Sequence, residues 1–338
     1  MKTTVKVLLL VLAAVLVSQC EEDEPNPVVN IPDNNFLSAL IDLGVDTNGD
    51  GIISAEEAEA VISLDVRLKG ITDLRGIEAF INLELLDCGV NQLTSLDVSH
   101  NTALTWLTCD DNQLNSLDLS HNIVLTVLHS GFNQLNNLDL SQNTSLAVVD
   151  LSDNQLTDLE VSHNMALTAM FLVDNQLTSI DVSNNKALEV LDLSYNQLTD
   201  LDVFNNTALE GLGCEHNQLT SLDVTNNTAL TSLFLSDNQL TSLDISSNTA
   251  LGALLLSYNQ FTNLDVSQNP HLIRLELTNN HLTELDVSNN TDLEYIWLND
   301  MPSINEVCVW EMPFPPEGVE VDTTNSPNLY FTTDCIGG

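Results

Sequence analysis

Basic residues are almost absent from this sequence. Seven lysines and arginines stand against 49 aspartates and glutamates, which gives a formal net charge of −42 at pH 7. A surface this acidic repels phosphate backbones, so we expect no nucleic-acid partner. It favours divalent cations or basic partners, or it serves simply as a solvated acidic surface, which is the commoner use of such charge.

Catalytic motifs are also missing. The chain contains no His-Glu-x-x-His, no Gly-x-Ser-x-Gly, no phosphate-binding loop and no Cys-x-x-Cys pair. These absences argue against zinc-dependent hydrolysis, serine-based acyl transfer and phosphoryl transfer. We therefore predict that the protein is not an enzyme.

Long apolar runs are absent as well, apart from one near the start of the chain. Residues 7–17 form a continuous apolar stretch that follows Lys2 and Lys6. The stretch is shorter than the roughly 20 residues that span a bilayer, and it matches the core of a signal peptide. We predict that residues 1–19 are a lipoprotein signal peptide and that no other segment crosses a membrane.

The five residues 16–20, Leu-Val-Ser-Gln-Cys, resemble the lipobox of bacterial lipoproteins, in which the cysteine is lipidated and becomes the new N-terminus. The acidic run at residues 21–24 is similar to the surface-export signal of Bacteroidetes-type lipoproteins. The resemblance implies export and lipid anchoring through Cys20 to the bacterial outer membrane, with the chain facing outward. Residues 20–32 would then be a flexible acidic tether. The alternative is an ordinary signal peptide cut nearby, with Cys20 lost.

A strict repeat of 21 residues dominates the rest of the sequence. The triplet Asn-Gln-Leu, with one Asn-Gln-Phe and one Asn-His-Leu, occurs ten times in phase without an insertion. Its asparagines, the first column, are Asn91, Asn112, Asn133, Asn154, Asn175, Asn196, Asn217, Asn238, Asn259 and Asn280. The second column follows ten residues behind, at Asn101, Asn122, Asn143, Asn164, Asn185, Asn206, Asn227, Asn248, Asn269 and Asn290.

Each unit has the pattern L-x-x-L-x-L-x-x-N-Q-L-T-x-L-D-V-S-x-N-x-x, which resembles the short bacterial leucine-rich repeats with nested half-repeats, over residues 64–300. The resemblance implies a leucine-rich-repeat solenoid, mainly β, that is a right-handed coil with one turn per repeat. The Leu-x-Leu pieces independently indicate short strands, because alternate residues of a strand point to opposite sides. We expect two narrow parallel sheets, one on each side. Inward asparagines should bond the backbone of the turns and of the next coil.

Both ends of the array depart from the repeat. Residues 64–90 form an atypical first coil, and the pattern stops at Met301, where the next asparagine would stand. A solenoid needs caps, because its end coils would otherwise expose the core. We therefore predict a non-repeating C-terminal cap over residues 301–338.

Residues 46–57, Asp-Thr-Asn-Gly-Asp-Gly-Ile-Ile-Ser-Ala-Glu-Glu, match an EF-hand loop at every ligand position. The ligands would be the side chains of Asp46, Asn48, Asp50, Ser54 and Glu57 and the backbone carbonyl of Ile52. Hard oxygen ligands at this spacing suit Ca²⁺. With short helices expected at 35–43 and 55–63, we predict an EF-hand-like unit over residues 33–63 that binds Ca²⁺ and fixes the entry to the first coil. The alternative is a metal-free acidic turn.

Five cysteines lie beyond the predicted lipid site. Cys308 and Cys335 bracket the C-terminal cap of a chain that leaves the cytosol, so we predict a disulfide between them. Cys88, Cys109 and Cys214 occupy an inward column where leucine usually stands, and we expect them to be small buried apolar residues. A bridge between Cys88 and Cys109, on adjacent coils, is the alternative.

One outward column of the repeats is uniformly acidic. It contains Asp97, Asp118, Asp139, Glu160, Asp181, Asp202, Asp223, Asp244, Asp265 and Asp286. Neighbouring carboxylates about 4.8 Å apart repel each other. Hydrogen bonds from the following turn residues, raised pKa values or bound cations must offset this repulsion.

The opposite sheet has a variable outward face on which aromatics are mixed with acids and histidine. Rigid aromatics are good interface anchors, and the variable strand face of leucine-rich repeats is where partners usually dock. The predicted partner-binding residues are Trp106, Phe132, Phe171, Tyr195, His216, Phe234, Tyr258 and Trp297. The alternative is stacking between coils and, above all for Trp297, packing against the cap.

These features together favour a monomeric cell-surface module that binds an extracellular protein, resembling bacterial adhesins and internalin-like repeat proteins. One alternative is a carbohydrate-binding surface lipoprotein, because exposed aromatics on a flat sheet can stack on sugar rings. The other is a structural spacer or cation-binding surface protein, although a spacer has no need of an aromatic face.

Overall fold

The computed structural model describes residues 27–335, so the predicted signal peptide and Cys20 lie outside the described chain. It contains α1 (Asn34–Asp42), α2 (Ala55–Glu59) and one turn of 3₁₀-helix (Ile77–Ala79). The strands, three residues each, are β1 Ser63–Asp65, β2 Leu85–Asp87, β3 Trp106–Thr108, β4 Val127–His129, β5 Val148–Asp150, β6 Ala169–Phe171, β7 Val190–Asp192, β8 Gly211–Gly213, β9 Ser232–Phe234, β10 Ala253–Leu255, β11 Arg274–Glu276, β12 Glu284–Asp286, β13 Tyr295–Trp297, β14 Glu306–Cys308, β15 Glu320–Asp322 and β16 Tyr330–Thr332.

Thirteen of these strands form one parallel sheet, in the order β1 to β11, then β13 and β15. Within the repeats, neighbouring strands pair with the 21-residue offset of the sequence, as Leu86 does with Leu107. The central residue of each strand points inward, and Leu107, Leu128 and Leu191 are fully buried. The parallel solenoid predicted from the repeat is therefore confirmed.

The second sheet is shorter than the sequence suggested. It consists of β12, β14 and β16, at the C-terminal end of the stack. In the earlier coils the corresponding side is extended, and a backbone bond links successive coils where that side begins, for example from Gln113 N to Leu93 O at 2.8 Å. Asparagine side chains supply the further links between coils on that side.

Each asparagine of the first column joins a tight corner to the neighbouring coil. The Asn175 amide nitrogen donates to the carbonyls of Leu151, Leu172 and Val173 at 3.0–3.3 Å. Its oxygen accepts from the Leu156 amide at 3.0 Å. Polar groups that a tight corner would leave buried without partners are thereby satisfied, as the sequence predicted.

The second column repeats this role at the other corner, with fewer bonds. The Asn185 amide nitrogen donates to Val161 O and Asn164 O, both at 2.9 Å. Its side-chain oxygen is buried and accepts no hydrogen bond from the described residues. The two columns therefore both tie adjacent coils together, but a first-column asparagine bonds four backbone groups and a second-column asparagine bonds two.

The N-terminal unit covers the first coil. Asp33 caps α1 with one carboxylate oxygen and accepts the Thr72 amide and hydroxyl with the other, at 2.8 and 2.7 Å. Phe36 of α1 is buried, and its ring centroid lies 6.4 Å from that of Phe80. The helix expected at 55–63 is shorter, because α2 ends at Glu59.

Part of the predicted tether is packed rather than free. Residues 27–29 lie antiparallel to the EF-hand-like loop, with bonds from Val29 N to Ile53 O and from Ala55 N to Pro27 O, both 2.8 Å. Val29 and Ile31 pack against the core. The tether predicted to end at residue 32 therefore ends earlier, because the apolar residues Val29 and Ile31 pack against the core.

The C-terminal segment continues the coil although its sequence pattern stops. β15 extends the long sheet and β14 and β16 build the short one. Ser326 replaces the missing asparagine, because its hydroxyl donates to Leu298 O at 2.6 Å and accepts from Met301 N at 3.0 Å. The sequence after Met301 does not repeat, but its backbone continues the coil. The predicted cap over residues 301–338 is therefore corrected to further turns of the solenoid, as far as residue 335.

The structure joins Cys308 and Cys335 in a disulfide, with their Cα atoms 5.5 Å apart. This bond ties the last described residue to β14. Cys88, Cys109 and Cys214 are free and buried inside the coil. Burial raises the pKa of the Cys109 thiol to about 12, so the thiol stays protonated and behaves as an apolar filler.

Removal of the column asparagines should destabilise the solenoid in a graded way. Asn175→Ala leaves the Leu156 amide unpaired and removes one donor from each of three carbonyls, and we expect a loss of roughly 3 kcal/mol of unfolding free energy. Asn185→Ala should cost roughly 2 kcal/mol, because only carbonyls lose a donor. Urea unfolding followed by circular dichroism measures both. The control is Asn184→Ala at the neighbouring exposed position, and equal midpoints for all three variants would contradict the role of the columns.

Candidate binding surface and calcium loop

The long sheet presents two outward columns, formed by the first and third residues of its strands. The third column brings Phe171, Phe234 and Trp297 to the surface, where each is partly exposed. Trp106 begins β3 and therefore lies in the first column. Its indole nitrogen donates to Thr108 Oγ1 at 2.9 Å, and its ring lies 5.6 Å from that of His129. The aromatics predicted on this sheet are thus outside the core.

A ridge with left-handed backbone runs beside this face. We call it the left-handed ridge, and each of its residues has φ between 50° and 57°. It consists of Val90, Asp111, Phe132, Asp153, Asp174, Tyr195, His216, Asp237, Tyr258, Asn279 and Asp300. Aspartate and asparagine tolerate this conformation, whereas a bulky side chain there is strained. The corner therefore favours the short polar residues that occupy most of it.

Aromatic rings nevertheless occupy several ridge positions. Phe132, Tyr195 and Tyr258 are 60%, 50% and 48% exposed. The rings of Tyr195 and His216 stack with their centroids 4.1 Å apart and an angle of 26° between planes. His216 Nε2 lies 3.5 Å from Asp237 Oδ2. Four of the eight predicted partner-binding residues thus share one ridge, and each of them directly precedes an asparagine of the first column.

The N-terminal half of the sheet carries a half-buried carboxylate. Asp110 accepts the Gly131 amide at 2.6 Å. Burial raises the pKa of Asp110 above its usual value, and the charges of Asp150 and Asp87 add to the effect, while the Gly131 bond and His129 oppose it. Asp110 is therefore partly desolvated, unlike the carboxylates of the uniform column.

The C-terminal half of the sheet contains a basic residue that sequence reasoning did not select. Arg274 begins β11 and forms an ion pair with Glu276, with Nε donating at 2.6 Å. Its guanidinium carbon lies 5.0 Å from the centroid of a Trp297 ring. The signal was present, because residues 274 and 276 are two apart in a strand and so point the same way.

The uniform acidic column lies on the other side of the coil and is held by hydrogen bonds. Asp181, for example, accepts the Ser183 amide at 2.9 Å, and the Ser183 side chain and amide lower the pKa of its carboxyl group. The same lowering applies to Asp97, Asp118, Asp139, Glu160, Asp223, Asp244 and Asp265. Hydrogen bonds to the turn, the first of the three alternatives, thus offset the repulsion.

The EF-hand-like loop is closed around its first aspartate. Asp46 accepts the amides of Gly49, Asp50 and Gly51 at 2.7–3.2 Å. Gly51, at the sharp turn, has φ of 83°, which glycine adopts without strain. Asn48 and Asp50 stand beside it, with 3.1 Å between Asn48 Nδ2 and Asp50 Oδ2. Three predicted ligands therefore share one small loop.

Glu57 reaches back to the beginning of the same loop. One of its carboxylate oxygens accepts the amide and hydroxyl of Thr47 at 2.8 Å, and the other accepts those of Ser54 at 3.0 and 2.9 Å. The bond from the Ser54 amide and that from the Thr47 hydroxyl lower the pKa of Glu57 to about 2. The residue is thus ionised at neutral pH, as a calcium ligand must be. The donor set, all oxygen, fits Ca²⁺.

Comparison with known proteins agrees with this architecture. A family described as leucine-rich repeat matches residues 142–164, 184–205 and 278–294. Internalin J of Listeria monocytogenes serotype 4b is 37% identical over 71 residues, which are 21% of this chain and 8% of that protein. The match in sequence therefore spans a small part of that relative.

Solved structures extend the likeness over most of the chain. The functional domain of InlJ from Listeria monocytogenes, which includes a cysteine ladder, is 33% identical, with a TM-score of 0.63 over 82% of this chain and 74% of that one. A leucine-rich repeat protein of Leptospira interrogans is 25% identical, with a TM-score of 0.66 over 82% of this chain and 79% of that one. The chain belongs to the leucine-rich repeat family and has internalin-like homologues.

Proteins of this family commonly mediate protein–protein interaction and are typically not enzymes, which agrees with the predicted class of function. Within residues 27–335, neither helix is long and apolar enough to cross a membrane. The predicted partner-binding residues were selected from outward columns that recur every 21 positions, and that selection did not include Arg274.

Proposed function

We propose that this protein is a cell-surface module that binds a protein partner through the outward face of its long sheet and the adjoining left-handed ridge. The observation that carries the proposal is the presence of Phe132, Tyr195 and Tyr258 at left-handed positions. Strain of this kind costs of order 1–3 kcal/mol per residue and persists mainly at functional sites. Aspartate or asparagine at the same positions of other coils is sufficient for folding. We therefore infer that the aromatics serve binding rather than folding.

Two further features support a binding role. The exposed rings are rigid and amphipathic, which makes them effective anchors at low entropic cost. They also lie on an array of strands whose backbone is fixed by the asparagine columns, so the surface is preorganised. The partner class that fits best is an extracellular protein, and a glycan that stacks on the same rings is the competing ligand.

We also propose that the EF-hand-like loop binds Ca²⁺ through Asp46, Asn48, Asp50, Ser54, Glu57 and the carbonyl of Ile52. The loop packs on the first coil through α1 and α2, and residues 27–29 lie along its far side. An ion there would order the unit that covers the end of the core. We expect Ca²⁺ to raise the stability of the protein and not to open a binding groove.

The proposed location rests on the sequence before residue 27. We propose export and lipid anchoring through Cys20 to the outer membrane, with the solenoid facing outward. In cells of a bacterium that processes lipoproteins, a labelled fatty acid should be incorporated into the native chain and not into Cys20→Ser. Label retained in the variant would contradict the assignment.

Replacement of the ridge aromatics by asparagine should separate binding from folding. Asparagine already occupies position 279 of the ridge, so Phe132→Asn, Tyr195→Asn and Tyr258→Asn in one variant should leave the urea midpoint unchanged or raise it. Binding to an array of extracellular proteins, measured with Ca²⁺ present, should be lost. Asp174→Asn is the matched control on the same ridge. Binding that survives the triple variant would place the site elsewhere, and hits confined to a glycan array would favour the carbohydrate alternative.

Calcium should raise the thermal stability of the protein, because a ligand that binds only the folded state stabilises it by mass action. We expect a melting temperature several degrees higher in Ca²⁺ than in chelator, with no recovery in Mg²⁺. Asp50→Asn should abolish the difference, whereas Asp42→Asn, at the exposed end of α1, should preserve it. A melt that is the same with and without Ca²⁺ would rule the site out.

A further inference from the structure

The long sheet ends in an open strand at its C-terminal end. The central residue of every other strand in this sheet is at most 1% exposed, as Ile296 of β13 is at 0%. The central residue of the last strand, β15, is Val321, which packs against the core but remains partly exposed. Among residues 27–335 no further strand of this sheet follows β15. Part of the apolar core is therefore accessible at this edge.

The free backbone groups of β15 lie at the same edge. Glu320 N donates to Glu294 O at 2.7 Å, and Asp322 O accepts from Leu298 N at 2.8 Å, so both residues bond to β13 or to the chain beside it. Successive residues of a paired strand direct their backbone groups to opposite neighbours. The N–H and C=O of Val321 therefore point away from β13, towards the position that one more strand would occupy.

The ends of the stack differ in how they are covered. At the N-terminal end, the unit formed by residues 33–63 packs on the first coil, and Leu64 at the centre of β1 is 1% exposed. At the last strand of the short sheet, the Phe314 ring lies 4.8 Å from that of Phe331, and the disulfide holds the chain after β16 against β14. An edge strand with free ladder groups, such as β15, is a template for pairing with another chain.

Carboxylates flank Val321 on its own strand. Glu320 and Asp322 are the outward residues of β15, and bonds from the Thr324 amide and side chain lower the pKa of the Asp322 carboxyl group. Neither carboxylate forms an ion pair with a residue in the range 27–335. The sequence from residue 275 to residue 338 contains twelve aspartates and glutamates and no lysine or arginine. The open edge is thus apolar at its centre and negatively charged on its outward side.

These charges discriminate between two kinds of strand that could pair with β15. In an antiparallel pair with a second copy of this chain, Glu320 of each copy would lie opposite Asp322 of the other. Like charges directly opposite each other destabilise a strand pair. A strand with a lysine or arginine on each side of an apolar residue would instead place opposite charges there and cover Val321.

We propose that the edge of β15 binds an extended basic segment of a partner protein, which adds a strand to the long sheet. Its backbone would bond to the N–H and C=O of Val321, and its apolar residue would complete the burial of that side chain. Its basic residues would pair with Glu320 and Asp322. Strand addition takes affinity from main-chain bonds and specificity from alternate side chains. The site goes beyond the proposed function, because it uses none of the ridge aromatics.

The test is calorimetric titration of the chain without its predicted signal peptide (residues 20–338) in about 150 mM salt, where long-range attraction is screened. The probe is the acetylated and amidated peptide Thr-Val-Lys-Val-Lys-Val-Thr, which as a strand has its valines on one side and its lysines on the other. The matched probe, Thr-Lys-Val-Val-Val-Lys-Thr, has the same composition and charge but would turn its lysines towards the core. We expect the first peptide to bind and the second to bind at least about tenfold more weakly.

A proline at the centre of β15 tests the backbone bonds. Val321→Pro removes the free N–H, leaves the N–H of Glu320 and the C=O of Asp322 for β13, and places proline where edge strands tolerate it. It should weaken peptide binding by about tenfold or more, whereas Val321→Thr, which keeps the N–H and nearly the same shape, should weaken it by about threefold or less.

A pair of charge variants tests the carboxylates and remains decisive if Val321→Pro fails to fold. Glu320→Gln combined with Asp322→Asn should weaken binding by about fivefold or more, because two ion pairs are lost. The matched control is Glu189→Gln combined with Asp192→Asn at β7, which removes the same two charges, and Asp192 accepts a turn amide as Asp322 does. The control should change the affinity by no more than about twofold, because a screened charge at that distance contributes little.

Several results would overturn the proposal. These are equal binding of the two peptides, equal losses in the β15 and β7 charge variants, full binding by a folded Val321→Pro, and absence of binding. A dimer seen by sedimentation that Val321→Pro abolishes would assign the edge to a second copy and would also overturn it. The variant with Phe132→Asn, Tyr195→Asn and Tyr258→Asn should bind the peptide with unchanged affinity, so failure of the proposed function and failure of this site are distinguishable.

Discussion

The structure depends on hydrogen bonds from asparagine side chains to the backbone of adjacent coils. A chain that turns twice in 21 residues leaves carbonyl and amide groups pointing into its own corners, where water cannot reach them. The carboxamide is the one neutral side-chain group of this size that both donates twice and accepts, so it satisfies such corners without a charge. Asn175 uses both capacities. Because the corners are satisfied internally, outward positions are free to vary without loss of the coil.

That separation explains the contrast between the two sides of the molecule. On the acidic side each carboxylate accepts bonds from its own turn, so identical residues recur because they perform the same local task in every coil. On the long sheet the outward residues differ from coil to coil, and only the acidic ones among them, such as Asp150 and Asp192, accept a backbone amide of the following turn. The ridge combines both situations, since its backbone is uniform and its side chains are not. Aromatics at strained positions such as Tyr195 and Tyr258 stand out for that reason.

Sequence reasoning succeeded wherever a pattern recurred and failed where one residue replaced another in the same role. The solenoid, its register and its outward columns follow from the 21-residue period. The continuation of the coil after Met301 does not follow from that period. There the corner is bonded by the hydroxyl of Ser326, which comes 25 residues after Met301 instead of 21 and is not an asparagine. The packing of Val29 against the loop was missed because the segment was too short to show a period.

The constant offset between paired strands has a consequence for how such a protein changes length. Gain or loss of 21 residues, at any point in the array, restores every inward leucine and every asparagine to its partner on the next coil. A gain of 20 or 22 in the same place would break both columns at once. Duplication or deletion of a whole unit should therefore have little effect on folding. Each such change nevertheless moves the surfaces on either side of it apart or together by one strand spacing, about 4.8 Å. The number of repeats thus sets the distance between the N-terminal unit and the C-terminal coils, and neither end has to change when that number changes.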